Sequence, residues 1–359
     1  MSENGKEVAE RLVKQKKSFA FWREPNTKKI HFVTSRDGQV ETLSKVLDLN
    51  TKEGFIFAPF SPQSKCPILC LSIDIKKTFS LADFPAVRTY AHAFPADKER
   101  TQARRALYAN DFTCFMDALR QGELEKVVLA RKQECPLPSS FSAMDTFVRA
   151  LHVYPSSYVY FFYSPLIGVW IGSTPETLLA GKANQWRTMA LAGTLRVEGE
   201  KAPLWDVKNT KEQGIVADYI AKSLSRFGAL ALQRQKTETV RAGALFHLRS
   251  LFHFVLPPDR GVGDLLALLH PTPAVSGFPK EEAIRFILAK EALDRTYYAG
   301  FVGLLQSQED ASLYVNLRCL NVGKKTLTLY AGGGLLAESD EESEWLETEY
   351  KLQTMKTIV

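Results

Sequence analysis

A chain of 359 residues that is 45% hydrophobic and 24% charged is too apolar for a disordered segment, and it is long enough to bury a sizeable core as one unit or two. Its 46 basic and 40 acidic residues are interspersed, and the formal net charge of +6 suits a small anionic substrate without forming the basic stripe that nucleic acid requires. The N-terminal stretch has no apolar leader core, no run of about 18 apolar residues occurs, and no heptad pattern demands a partner, so a monomeric cytoplasmic protein that binds neither membrane nor nucleic acid is expected.

Up to about residue 100 the chain carries short β-like runs at 18–22, 29–33 and 54–59 between polar loops, with no motif that bears chemistry. Cys66 and Cys70 flank an apolar Pro-Ile-Leu stretch. With Cys114, Cys135 and Cys319 they make an odd set without a CxxC pair, so reduced thiols are expected. Ala103, Leu107, Phe112, Phe115 and Leu119 recur at near-helical spacing and predict a helix that stops by Gly122. The run 126–131 then alternates as a strand with Lys126, Val128 and Ala130 on one face, and a lysine at a strand's start ordinarily snorkels to water.

Strands are predicted at 157–162 and 166–171, the second running into Gly172-Ser-Thr-Pro-Glu176. Pro175 at a first helical position would make Glu176 a first-turn acid. A strand over 189–194 ends in Gly193 and Thr194, small enough for a ligand to approach the backbone. Thr210-Lys-Glu-Gln213 fits a capping box that opens a helix with the stripe Ile215, Val216, Tyr219, Ile220 and Leu224, placing Glu212 in the first turn. A long strand over 240–255 contains His247 and His253, residues that in such a setting are more often satisfied core histidines than ligands. A short helix at 264–269 leads into a rigid proline-rich loop at 270–279, and Pro279 with Glu281 starts the next helix.

Strands at 297–305, 312–321 and 326–330 complete the C-terminal half, the last two joined by a turn at Gly323. Sheets with interspersed helices and no regular βαβ alternation predict an α+β fold: one large domain over 1–359, antiparallel sheets packed together, helices outside. The glycine run 332–334 then leads into an acidic helix with Ser339 and Glu342 as a second capping box. Charge runs as a rule face water. Yet Glu344, Glu347 and Lys351 lie at i, i+3 and i+7 on one face, and paired carboxylates are what a hard divalent cation prefers.

The motifs in order are KVVLAR, GSTPE, LAGT, KNTKEQ, HPTPAVSG, Tyr298-Ala-Gly300, Arg318, AGGG and EWLETEYK. This series resembles the chorismate-utilising enzymes, the family that includes anthranilate synthase component I. The resemblance covers roughly residues 100–355, with 1–100 as a variable N-terminal part. It is strongest toward the isochorismate synthases, which place a lysine at the position of Lys126.

The resemblance implies Mg²⁺-dependent conversion of chorismate to isochorismate, for menaquinone or siderophore synthesis, with Lys126 as general base and Glu176 as general acid. It implies Glu212 and Glu347 as Mg²⁺ ligands with Glu344 beside them. Tyr298, Arg318 and Lys351 would hold substrate carboxylates, aided by the backbone near Gly193, Thr194, Ala274 and Gly332, and His247 would lie near the ring and its leaving group. Those roles require Glu176 to keep its proton and Lys126 to lose one near neutral pH, so burial should raise the first pKa and lower the second. Gln213 and Ser276 depart from the family pattern, which has histidine and glycine there in many members. Salicylate synthase, which goes on to eliminate pyruvate, is the competing enzyme reading. A non-catalytic chorismate-binding subunit would be expected to lack Lys126 or Glu176.

Overall fold

The computed structural model describes residues 4–62, 66–88, 98–196 and 203–359. Strands whose side chains alternate between two apolar environments must be covered on both faces, and that is how the chain is built. Nine strands form one antiparallel sheet in the order Gly277–Phe278 (β15), Lys126–Pro136 (β7), Thr326–Leu335 (β19), Cys319–Val322 (β18), Gly168–Thr174 (β9), Tyr158–Ser164 (β8), Phe19–Arg23 (β1), Lys29–Thr34 (β2) and Ile75–Ser80 (β6). A second sheet of ten runs Leu230–Arg234 (β12), Leu245–Val255 (β14), Gln185–Leu195 (β11), Thr177–Lys182 (β10), Asp310–Val315 (β17), Phe301–Ser307 (β16), Gly54–Ala58 (β4), Ile68–Leu71 (β5) and Glu41–Leu43 (β3), with Glu238–Ala242 (β13) also on β14.

The period of two decides which core each residue joins. In β8, Tyr158, Tyr160 and Phe162 enter the core between the sheets, where Phe162 stacks on Phe57 of the second sheet at 4.7 Å and 7°. Val159 and Phe161 point the other way, into a core closed by α1 (Gly5–Lys14), α3 (Ala143–Val153) and the end of α7 (Glu341–Lys356). Each buried ring contributes about 1.5–3 kcal/mol by leaving water. On the second sheet α4 (Val207–Phe227) packs Val216, Ala217, Ile220 and Leu224 against β11 and β14, beside α5 (Val262–Leu269). The helices α2 (Lys98–Arg120) and α6 (Lys280–Lys290) pack against β7. The α+β architecture is therefore the expected one, with antiparallel sheets face to face and helices outside. Among the described residues no helix is long and apolar enough to cross a membrane, and all five cysteines are free, with Cys70, Cys135 and Cys319 buried.

Local expectations fail where tertiary contacts override sequence pattern. The strand predicted at 312–321 is two strands in different sheets, and residues 316–318 carry the chain across, with Arg318 in the left-handed region at φ 46°. The run 240–255 is a hairpin that turns at Gly243, and 297–300 is a turn that precedes β16. Helix α4 starts earlier than expected. Asp206 is its N-cap and accepts from the Asn209 amide, so Thr210 lies inside the helix, donates to the Asp206 carbonyl and forms no capping box. At α7 the cap is Asp340, because the Ser339 hydroxyl is committed to Glu344. Glu176 lies in the short link between β9 and β10 rather than in a helix.

Candidate active site

Where the glycine end of β19 meets α4 and the link after β9, the sheets form a cavity. The lining includes Glu176, Gly193, Thr194, Glu212, His247, Ala274, Tyr298, Arg318, Gly332 and Lys351, so ten of the thirteen residues singled out from sequence converge on one cavity. Lys126 lies just behind that wall. Glu344 and Glu347 line an adjoining open cleft that shares Thr194 with the cavity.

Lys126 does not snorkel. It is 0% exposed, its Nζ donates to the Pro273 carbonyl at 2.7 Å, and Glu212 Oε1 lies 3.2 Å away. Burial pushes its pKa down, and the negative charges of Glu212 and Glu176 resist that shift. Glu176 is 3% exposed, and burial pushes its pKa up to about 8 against the opposing charges of Lys126, Lys351 and Arg318. A carboxyl that keeps its proton at neutral pH and an amine biased toward the neutral form thus share one site. The link is anchored at both ends of Glu176, whose amide donates to Thr174 Oγ1 at 3.3 Å and whose carbonyl accepts from the Val315 amide at 2.9 Å.

His247 holds neither a proton to donate to substrate nor a charge. Its Nδ1 donates to the Gly193 carbonyl at 3.0 Å and its Nε2 accepts from Arg318 Nη2 at 3.2 Å, an arrangement that demands one neutral tautomer. Burial and the adjacent guanidinium push its pKa down to about 3. Gly193 itself takes φ 72° with Asn209 packed against it, and the Asn209 side chain accepts from the Thr194 amide at 2.9 Å. Tyr298 stacks on Tyr330 with centroids 5.4 Å apart, and burial raises its phenol pKa, so it stays a hydrogen-bond donor. Lys351 reaches back across α7 to Glu347 Oε1 at 2.5 Å and to the Gly332 carbonyl at 2.7 Å.

The glycine run makes room for carboxylates on both faces of β19. A Cβ at Gly334 would meet Glu212 Oε1 at 2.0 Å, and one at Gly333 would stand 3.2 Å from Glu344 Oε2. Each of the three carboxylates has a lysine nitrogen against it: Lys126 on Glu212, Lys208 on Glu344, Lys351 on Glu347. Burial, reinforced by Glu347, pushes Glu344 up to about 7. Among the described residues no three such side chains form a ready-made metal cluster. The donor type nonetheless suits a hard divalent cation, because the set is all oxygen and Glu344 Oε2 is buried without a partner.

Four residues here escaped the sequence reading. Lys208 and Asn209 lie one turn before Glu212, and a correct α4 start would have exposed them. Glu291 and Arg295 form a buried i, i+4 ion pair at the cavity wall, a spacing visible in sequence but unremarkable outside a helix. Of the two departures from the family pattern, Gln213 turns away from the carboxylates to bond the Ala190 carbonyl and Ser250, and Ser276 bonds within its own turn to the Thr272 carbonyl.

The profile of the family described as "Chorismate binding enzyme" matches residues 71–359. Isochorismate synthase EntC of Escherichia coli (strain K12) is 28% identical over 246 residues, which cover 66% of this chain and 62% of that protein. Isochorismate synthase DhbC of Bacillus subtilis (strain 168) is 30% identical over 265 residues, 69% of this chain and 66% of the relative. The alignments thus span about two thirds or less of these relatives. The solved structure of MenF, the menaquinone-specific isochorismate synthase from Escherichia coli, superposes with a TM-score of 0.75 over 96% of this chain and 89% of that one, and at 21% identity it establishes a shared fold.

Proposed function

Because this chain belongs to the chorismate binding enzyme family, we propose that it is an isochorismate synthase, an isomerase that works with Mg²⁺. The observation that carries the reading is the pair of opposed environments in one site: a buried carboxyl that retains its proton, Glu176, and a buried amine biased to lose one, Lys126. Water adds at C2 of the ring and gives its proton to Lys126 Nζ. The ring double bonds shift, the C4–O bond breaks, and the departing hydroxide takes the Glu176 proton and leaves as water. Atoms balance, since one water enters and one departs, and the proton gained by Lys126 returns to Glu176 between turnovers. Two carriers tuned in opposite directions are what such a step requires.

A dianionic substrate also needs cationic contacts. Arg318 and Lys351 line the same cavity, with the Tyr298 hydroxyl as an added donor, and His247, locked neutral, leaves Arg318 its full charge. Glu212, Glu344 and Glu347 would hold Mg²⁺, which supplies positive charge toward a substrate carboxylate when bound. The reading takes residues 1–359 as one chorismate-binding unit, acting as a cytoplasmic monomer and feeding menaquinone or siderophore synthesis. Supporting one unit, residues before and after position 100 share both apolar cores.

The test is incubation of the purified protein with chorismate, with and without Mg²⁺, and product identification by chromatography and mass. Isochorismate in equilibrium with chorismate, formed only with Mg²⁺, is the expected outcome. Salicylate with pyruvate would move the assignment to a salicylate synthase, and absence of turnover would leave a binding subunit.

A further inference from the structure

We propose that Arg295, held by Glu291, is a positioning residue that fixes the two backbone segments between which the Lys126 amine is placed. The inference deepens the isochorismate synthase reading and rests on it. Arg295 lines the cavity without belonging to the acid, base or carboxylate sets. Its Nη1 donates to the Val275 carbonyl at 2.7 Å and its Nη2 to the Val128 carbonyl at 2.7 Å. Val128 lies two residues after Lys126, and Val275 lies two residues after Pro273, whose carbonyl accepts from Lys126. One guanidinium therefore ties together the strand that carries the amine and the loop that receives its hydrogen bond. The same two segments also meet directly, through the Val128 amide and the Ser276 carbonyl at 2.8 Å.

Glu291 sets the guanidinium in turn. Its Oε2 accepts from Arg295 Nε at 2.6 Å and its Oε1 from Nη2 at 2.7 Å, while Oε1 also takes the Ala130 amide at 2.7 Å. The pair's side chains are 2% and 0% exposed, and the ring of Phe60 lies 4.4 Å from the guanidinium carbon. A buried ion pair is a poor source of stability, since apolar residues of similar volume often do as well. What apolar residues cannot do is span two carbonyls at fixed angles. A lysine cannot either, because its ammonium is a point charge without the planar fork.

The experiment compares Arg295→Ala and Arg295→Lys with the wild-type chain, using chorismate and Mg²⁺. Arg295→Ala should lower kcat by up to about 100-fold while KM changes little, the signature of a misplaced reacting group rather than lost affinity. Millimolar guanidinium chloride, entering from the cavity, should restore part of that rate where methylammonium does not, and Arg295→Lys should stay near the alanine level. A rise in KM at unchanged kcat, or a folded alanine variant that guanidinium does not rescue, overturns the proposal. Amide exchange gives a readout that needs no turnover. It should quicken at residues 127–130 and 272–278 alone, and equal exchange in variant and wild type overturns the positioning role even if the wild type converts no chorismate, a result that would separately defeat the functional reading. If Arg295→Ala does not fold, Glu291→Gln, which keeps shape and loosens the fork, takes its place with the same expected pattern.

Discussion

The inner and outer halves of the cavity handle charge in opposite ways. On the inner side Glu176 and Lys126 are pushed by burial toward their neutral forms, so protons there can move, with His247 held neutral beside them. On the outer edge Glu344 and Glu347 each keep a lysine of their own against the carboxylate, while Glu212 borders both halves through its contact with Lys126. Burial alone does not separate the halves, since Glu344 is as buried as Glu176. The partner does. Glu344 accepts from Lys208 and from Ser339 Oγ at 2.8 Å, whereas Glu176 meets its cations only as charges across the cavity. On the proposed reading the inner half serves proton transfer and the outer half holds a cation against an anion.

The largest effect should come from breaking the inner half at its base. Lys126→Ala is expected to lower kcat by about 10²–10⁴-fold while chorismate still binds, checked by product chromatography and isothermal titration. Turnover near the wild-type rate would show that the amine is not the base. The same change leaves the buried Glu212 carboxylate without its nearest side-chain partner, so some loss of melting temperature should accompany it.

Glu176→Gln attacks the acid and should reduce kcat nearly as much. In the wild type, kcat should fall as pH rises through about 8, because the carboxyl loses the proton it must deliver. Stability follows the same group with a definite sign. Unfolded, the carboxyl titrates near its ordinary value of 4.5; folded, near 8. Between those values the folded chain holds a proton that the unfolded chain has released, so rising pH favours unfolding. Glu176→Gln removes that linkage, and its melting temperature relative to wild type should climb from pH 5 to pH 8. A difference that stays flat with pH would mean that Glu176 is ionised in the folded protein and that the inner half is not neutral after all.

Breaking the outer half should act on metal demand rather than on the proton steps. Glu347→Ala is expected to raise the Mg²⁺ concentration needed for half-maximal turnover by about 10–100-fold, with a smaller change in kcat at saturating metal. Direct titration with Mn²⁺, followed by electron paramagnetic resonance, should show the same loss of affinity without substrate. An unchanged metal requirement would remove Glu347 from the cation site.

The outer half was the more legible in sequence, because Glu344, Glu347 and Lys351 declare a common face by spacing within one helix. The inner half could not be read that way. Lys126, Glu176, His247 and Arg318 come from β7, a link, β14 and a crossover between sheets, and only the order of motifs, matched to a family, brought them together. Lys126 looked like a snorkelling strand end and Glu176 like a helix-start acid, since local pattern carries no information on burial by distant segments. The crossover at Arg318 was invisible for a related reason: 312–321 contains no glycine or proline to mark a break, and only pairing partners reveal that β17 and β18 belong to different sheets. The strands expected at 18–22 and 157–162, by contrast, lie within two residues of β1 and β8, because a short apolar run between polar turns is a local property.

Gln213 offers the mildest test and sharpens where the outer half ends. It follows Glu212 directly, yet its side chain points into the second sheet, where Nε2 donates to the Ala190 carbonyl at 3.2 Å and to Ser250 Oγ at 3.3 Å. Neighbouring positions on a helix lie about 100° apart, which is enough to give one residue to the cavity and the next to the core. Gln213→Ala should therefore lower stability by about 1–3 kcal/mol, through a buried carbonyl left without its donor, and leave the Mg²⁺ requirement where it was. Melting curves and metal titrations on the same preparation separate the two effects. A shift in metal demand would extend the outer half through the body of α4, and the boundary between fixed charge and packed core would have to be drawn one residue further along the helix.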